Sequence, residues 1–357
     1  MPGVGKAVNT DYVSLEQYFK SWSDGSSGRK QIASTVECLA AAATALAKII
    51  AQTSVTSKPD DTVTKNSDGD TQAQLDILAH DLFENALGAA PVGLMVSEEC
   101  AEAIVLDHSA ALAVVLDPLE GSSNIETNIP PGSIFSIYAF EPADFPLSVD
   151  SLMNRQGTDQ VASGFFIFGP QTSLVLTVRD GTHIFLLDPE SSEYRVSHDD
   201  VRVPQSQPEF AINASNYRHW DDSIRGYVDD CIAGNSGPRE EEFNMRWIAS
   251  LVAEAYRIFV RGGIFLSPRD QRPGYENGRL RLLYEAFPVA LLIEQAGGAA
   301  TDGENRILEQ LITDLHARVP LVFGSKEQVE RVARYYATPP VDKNRYALFE
   351  PRQLLRN

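Results

Sequence analysis

Cysteine is scarce. The three residues, Cys38, Cys100 and Cys231, are too widely spaced for a disulfide framework or a zinc-ligand pattern. That excludes a small disulfide-stapled scaffold and fits a reducing compartment. Positive charge is also short: 30 Lys and Arg stand against 49 Asp and Glu, for a formal net charge of −19. Nucleic acid is therefore a poor partner, because a protein that binds its backbone needs a basic face. The same acidity keeps a cytosolic protein soluble. The opening MPGVGKAVNT has no apolar core of a secretory signal. The longest apolar run, Leu39 to Ala51, is Ala-rich, carries Lys48 and is too short to span a bilayer, so it predicts a packed helix. No internal repeat is visible. What remains is a cytoplasmic globular chain with no nucleic-acid and no membrane partner. Its 357 residues, 43% hydrophobic and 22% charged, suffice for one large domain or two fused ones.

Mixed patterns run along the chain. Residues 31–52 predict an Ala-rich helix, 53–69 a polar loop, and 70–87 a second helix with Leu75, Leu78, Leu82, Phe83 and Leu87 at helical spacing. Asp70 and Asp76 sit near its N-terminal end, where the plain reading is a surface acid offsetting the helix dipole. Short strands follow at 92–96, 103–106, 112–116, 132–140, 161–168, 173–179 and 182–188, with Asp180-Gly181 as a hairpin turn. Helices are expected at about 220–233 and 243–260, with Trp247, Leu251, Ala255 and Ile258 on one face of the second. A further helix runs from near Tyr284 to Gly297-Gly298. After a strand at 319–323, Ser325 to Gln328 reads as a capping box opening the last helix. The chain is thus an α/β protein. The working division is 1–195, 196–338 and a less patterned tail, 339–357.

The chemistry gathers at element ends. An apolar run ends in Asp117-Pro-Leu-Glu120 and then Gly121-Ser122-Ser123-Asn124; another, Val92 to Val96, ends just before Glu98-Glu99. Glu285 opens a late helix behind Leu280 to Tyr284. Taken singly, a Glu pair is an ordinary solvated surface, and Asp-Pro-Leu-Glu-Gly is an ordinary turn. Together these acids fit one site. Clustered carboxylates need compensation, and Mg²⁺ supplies it while sharing its oxygen ligands with phosphate and water. Such a site can polarise a phosphoryl oxygen and activate water. An acid left free of metal can serve as general base.

At these residues the chain resembles class I fructose-1,6-bisphosphatase, within the lithium-sensitive sugar-phosphatase superfamily. Leu116 to Ile125 resembles its Asp-Pro-[Leu/Ile]-Asp-Gly-Ser-Ser-Asn-Ile signature, and Gly132 to Tyr138 the strand that follows it. Gly69-Asp70, Leu75-Asp76, Ser97-Glu98-Glu99, Gly262 to Phe265, Leu280 to Glu285 and Glu294 to Gly298 match in the same order. The resemblance implies a layered α/β/α/β/α sandwich and metal-dependent removal of the 1-phosphate of fructose 1,6-bisphosphate in gluconeogenic carbohydrate metabolism. It implies Mg²⁺, with Mn²⁺ or Zn²⁺ as substitutes, held by Glu98, Glu99, Asp117, Glu120, Glu285 and the Leu119 carbonyl. Asp70 and Asp76, with Glu99, would orient or deprotonate the attacking water. Gly121, Ser122, Ser123 and Asn124 would hold the 1-phosphate. Asn213, Tyr217, Arg246, Trp247 and Arg279, with Arg281 nearby, would line the sugar and 6-phosphate side. The match to Arg246 reaches a neighbouring subunit in the family, which implies a homo-oligomer, tetramer or dimer.

Departures from the family pattern are specific. Glu120 replaces the signature Asp, Ser267 stands where a tyrosine is usual, Arg279 replaces lysine, and Asn216-Tyr217 follows Asn213. They leave sedoheptulose 1,7-bisphosphate, alone or beside fructose 1,6-bisphosphate, as a competing substrate. An inositol-phosphate or nucleotide phosphatase is disfavoured by Arg246 and Leu280 to Glu285. A non-catalytic regulatory homologue is a reading of another class, supported by Glu120 and opposed by the retained acids. The family's AMP-binding groups are missing: Asp24 to Lys30, Ala111-Leu112 and Ala139 stand in their places, so AMP insensitivity is expected.

Overall fold

The computed structural model describes residues 13–56, 64–65, 71–72, 74–141 and 144–338. Ser14 starts helix α1 (Leu15–Trp22) through a reciprocal capping box: its hydroxyl accepts the Gln17 N–H, and the Gln17 side chain accepts the Ser14 N–H. Helix α2 (Ser27–Thr56) extends beyond the expected 31–52 at both ends. By length and composition alone, the stretch Ser27–Gln52 could cross a membrane. Val36, Leu39, Ala40, Ala43 and Leu46 are instead buried in a protein core shared with α3 (Gln74–Leu87), as in the core helix of a globular protein. Helix α3 begins at Gln74 rather than at residue 70, which puts Asp76 in its first turn.

Strands β1 (Val92–Ser97), β2 (Ile104–Val105), β3 (Leu112–Glu120), β4 (Gly132–Ala139), β5 (Gln160–Phe168), β6 (Thr172–Thr177), β7 (His183–Leu187) and β8 (Tyr194–His198) form one sheet. Their order is β8-β7-β6-β5-β4-β3-β1-β2. Every pair is antiparallel except β1 with β3. Along β3, Leu112, Val114 and Leu116 join the core under α1 to α3, while Ala113 and Val115 join the core on the other face. This is the period-two alternation of a sheet covered on both sides.

The second half contributes β9 (Glu209–Ala211), α4 (Asp222–Ile232), β10 (Asn244–Met245), α5 (Leu251–Arg261), β11 (Ile264–Ser267), β12 (Leu280–Arg281), α6 (Phe287–Gln295), β13 (Ala299–Thr301), β14 (Arg318–Val319), β15 (Leu321–Gly324) and α7 (Lys326–Ala337). A five-stranded sheet runs β10-β9-β11-β15-β13. Helices α5 and α6 share one core with inward faces of both sheets, and α4 and α7 cover the far face of the smaller sheet. The layers are therefore α/β/α/β/α, as the resemblance implies.

Two local expectations fail for identifiable reasons. The helix expected over 243–260 begins only at Leu251. Ser250 is its cap, accepting the Ala253 N–H at 3.3 Å, and Ala249 before it has φ 63°. Trp247 lies outside the helix, while Leu251, Ala255 and Ile258 are buried on it as expected. The capping box at Ser325 to Gln328 does not form. Ser325 Oγ accepts the Gly263 N–H at 3.0 Å, and the Gln328 side chain turns to Tyr227, Arg239 and Ser206. Both polar groups are consumed by long-range partners.

Candidate active site

Parallel pairing of β1 with β3 sets Ser97 opposite Leu116. The Glu98 N–H continues the ladder, donating to the Leu116 carbonyl at 3.0 Å. Glu98 and Asp117 thus leave neighbouring strands side by side. Strand β3 does not stop at residue 116 as expected but runs through both acids to Glu120. Its pairing with β4 slips by one residue between Asp117, opposite Ile134, and Glu120, opposite Gly132. Pro118, which has no N–H for the ladder, lies in this bulge, and Ser133 Oγ donates to its carbonyl at 2.7 Å. The bulge re-aims Glu120. Leu119 is buried, and its N–H donates to Asp117 Oδ1 at 3.1 Å. Glu285 arrives from a π-helical turn, Leu282–Ala286, and its Oε2 accepts the Arg281 N–H at 2.6 Å.

These acids act on one another. Burial, then Glu98, Glu120 and Glu285, push the Asp117 carboxyl well above the usual carboxylate range. Burial, then Glu120 and Glu98, do the same to Glu285, opposed by Arg281. Glu120 is pushed up to about 7 by burial and then Glu98, against the Leu251 N–H, the Asp117 side chain and Arg281. The Arg281 guanidinium pairs with Glu98, so it belongs to the acid cluster and not only to the sugar side. These four carboxylates form an all-oxygen donor set fitted to hard divalent cations, and three of them, Asp117, Glu120 and Glu285, are held toward their protonated forms without one. Glu99 is half-buried beside Glu98, its N–H 3.4 Å from Ser97 Oγ. Asp76 is buried in the first turn of α3, not a surface acid. Asp70 lies outside the described residues.

Gly121 follows with φ 75°, the left-handed conformation glycine permits. Ser122 and Asn124 are half-buried and Ser123 exposed in a 3₁₀ helix, Ser122–Thr127. Asn124 Nδ2 donates to the Ala249 carbonyl at 2.7 Å. Ser250 Oγ donates to the Pro130 carbonyl at 2.8 Å, and the Leu251 N–H reaches Glu120. The segment carrying Arg246 and Trp247 is thereby fastened to the signature turn.

Strands β9, β10 and β11 are parallel, so Asn213, Arg246 and Ser267 all emerge at their C-terminal ends. Asn213 Oδ1 caps a 3₁₀ helix by accepting the Ser215 N–H at 3.2 Å and the Ser215 hydroxyl at 2.6 Å. Tyr217 is buried, its hydroxyl donating to the Asp229 carboxylate at 2.8 Å. Arg246 is 48% exposed, and its Nε stands 3.6 Å from Glu209. Trp247 stacks on Phe265 with centroids 6.2 Å apart. Arg279 lies over the Tyr275 ring, 4.4 Å from its centroid. Residue-type reasoning missed Glu254 and Glu209. Glu254, fully buried, accepts the Ile248 N–H at 2.6 Å and pairs with Arg257; Glu209 gathers Arg257, Arg261 and Arg246. The available signal was Glu254 and Arg257 three apart on the buried face of an otherwise apolar helix.

Comparison with known proteins agrees with this architecture. Residues 18–199 match the family described as fructose-1-6-bisphosphatase, N-terminal domain, and residues 203–337 its C-terminal domain. The class 1 fructose-1,6-bisphosphatase of Paracoccus denitrificans is 50% identical over 321 residues, covering 90% of this chain and 94% of that protein. The Rhizobium meliloti relative is 48% identical over 348 residues, covering 96% and 99%. The solved Leishmania major fructose-1,6-bisphosphatase in holo form superposes with a TM-score of 0.85 at 30% identity, covering 92% of this chain and all of that one. With both halves matched in order and nearly end to end, this chain belongs to the fructose-1,6-bisphosphatase family.

Proposed function

We propose that this chain hydrolyses the 1-phosphate of fructose 1,6-bisphosphate, giving fructose 6-phosphate and inorganic phosphate. The cluster of Glu98, Asp117, Glu120 and Glu285, in which burial first and neighbouring carboxylates second push Asp117, Glu120 and Glu285 upward, carries the reading. Glu98, Glu99, Asp117, Glu120, Glu285 and the Leu119 carbonyl would hold divalent cations, Mg²⁺ first, with Mn²⁺ or Zn²⁺ as substitutes. Bound cations supply Lewis acidity toward phosphoryl oxygen and water. The protein's part is to place and move protons. Asp76 and Glu99, with Asp70, orient the attacking water and accept its proton. The turn from Gly121 to Asn124 receives the 1-phosphate through N–H groups at the start of a helical turn, the Asn124 N–H being taken by the Gly121 carbonyl at 2.9 Å. Asn213, Arg246, Trp247 and Arg279 set the sugar and distal phosphate, with guanidinium groups suited to phosphate oxygens; Tyr217, buried with its hydroxyl on Asp229, presents no surface to the sugar. Arg281 balances Glu98.

The division at residues 195 and 196, a cytoplasmic location and a homo-oligomeric state, tetramer or dimer, complete the reading. Exposure of Met245, Arg246 and Trp247 supports a reach toward a second subunit. AMP insensitivity is supported by Leu112 pairing with Ala139 at the ends of β3 and β4, a position without cationic side chains. Ser267 and Arg279 depart from the family pattern in the distal pocket, so sedoheptulose 1,7-bisphosphate is the second substrate to compare. Phosphate release with Mg²⁺ from both bisphosphates and from monophosphates tests the reading; no release by folded protein overturns it.

A further inference from the structure

We propose that His80, Asp81, Glu84 and Cys100 form a second divalent-metal site on α3, one that takes a borderline transition ion such as Zn²⁺ instead of Mg²⁺. A ring nitrogen of His80 and carboxylate oxygens of Asp81 and Glu84 lie within 4.8 Å of one another. His80 Nε2 is 3.3 Å from Glu84 Oε2 and 3.6 Å from Cys100 Sγ. Zinc bonds of about 2.0–2.3 Å in a tetrahedron place neighbouring ligands roughly 3.4–3.7 Å apart, so the His80–Glu84 and His80–Cys100 spacings already match, while the Asp81 and Glu84 carboxylates must swing toward Cys100 for all four to share one ion. Helical geometry makes the pairing: residues four apart share a face.

Orientation is also provided. His80 Nδ1 is 2.9 Å from Ser97 Oγ. A proton on Nδ1 donated to that hydroxyl leaves the Nε2 lone pair facing Glu84 and Cys100, which is how a supporting partner prepares a histidine ligand. His80 is buried, whereas Asp81 is exposed and the Glu84 side chain is 40% exposed, leaving a route in for the ion. Imidazole and thiolate select transition ions over Mg²⁺, which favours the all-oxygen cluster. On binding, the Cys100 thiol proton passes to solvent as the sulfur–metal bond forms, and no electron is transferred. Ser97 and Cys100 flank Glu98 and Glu99, so occupancy would pin that turn to α3. This consequence rests on the proposed role of those two acids; the site itself does not.

The test is Co²⁺ titration of the full-length protein in saturating Mg²⁺. A near-ultraviolet thiolate-to-cobalt charge-transfer band saturating at one ion per chain is expected. Cys100→Ser should abolish it, and Glu84→Gln, a change at an exposed carboxylate, should weaken Co²⁺ binding at least about tenfold. Zn²⁺ should slow modification of Cys100 by a thiol reagent in a Cys38→Ser background. Asp117→Asn should keep the band, which separates this site from the proposed catalytic centre. No band, or a band that survives Cys100→Ser, overturns the proposal.

Discussion

Replacing Glu120 by glutamine should remove the pH dependence that this side chain imposes on the metal-free protein. Its folded carboxyl is pushed up to about 7, first by burial and then by Glu98, from an ordinary 4.5. Below the unfolded value both states hold the proton, and this group costs nothing. Between about 4.5 and 7 the unfolded chain ionises while the folded site keeps its proton, so unfolding becomes steadily more favourable. Above 7 both states are ionised and the loss is complete. At roughly 1.4 kcal/mol per pH unit the window is worth about 3 kcal/mol. Asp117 and Glu285 act in the same direction. The assay is urea unfolding in EDTA at pH 5 and pH 7.5, for wild type and Glu120→Gln. Subtracting the variant removes the background of acids outside the cluster, while relief of Asp117 and Glu285 from the Glu120 charge adds to the difference in the same direction. Wild type should lose about 2 kcal/mol more than the variant across this interval, since part of the window is already crossed at pH 5, and Mg²⁺ at pH 7.5 should restore most of it. Parallel pH profiles, or no response to Mg²⁺, would refute the reasoning.

Three other outcomes follow from the geometry. Gly132→Ala would put a Cβ 2.3 Å from the Phe166 carbonyl and under 3 Å from both Val252 methyls; we expect a loss of about 2–3 kcal/mol in urea unfolding, and an unchanged midpoint would contradict the packing. Glu254→Ala removes the acceptor that fixes the Ile248 N–H and should raise KM about tenfold more than it lowers kcat. Glu254→Gln, which keeps an oxygen there, should recover KM, and equal KM values in all three proteins would dismiss the positioning role. AMP should leave activity unchanged in an inhibition titration; tight, saturable inhibition would show a nucleotide site at the N-terminal helices or elsewhere.

The acid-bearing strands were legible because their signal is local: apolar runs of β-branched residues stop at carboxylates, and parallel pairing does the rest. The layered fold was legible from resemblance, not from periodicity. What escaped depends on long-range partners. Trp247 has helical spacing to Leu251, yet the Ser250 cap and the turn at Ala249 end the helix first. Ser325 and Gln328 have capping-box spacing, but Gly263 and Tyr227 claim their side chains. Asp76 reads as a surface acid from its place in a first helical turn, and only packing buries it. The bulge at Pro118 needed the β4 register, which no property of β3 alone supplies.

The most direct measurement is phosphate release from fructose 1,6-bisphosphate with Mg²⁺, by wild type and Asp117→Asn, with circular dichroism to verify folding. The account predicts one phosphate per sugar from the wild type, fructose 6-phosphate as product, and a drop of about a thousandfold or more in the folded variant. Folded wild type that releases no phosphate, or a variant as active as wild type, would contradict it.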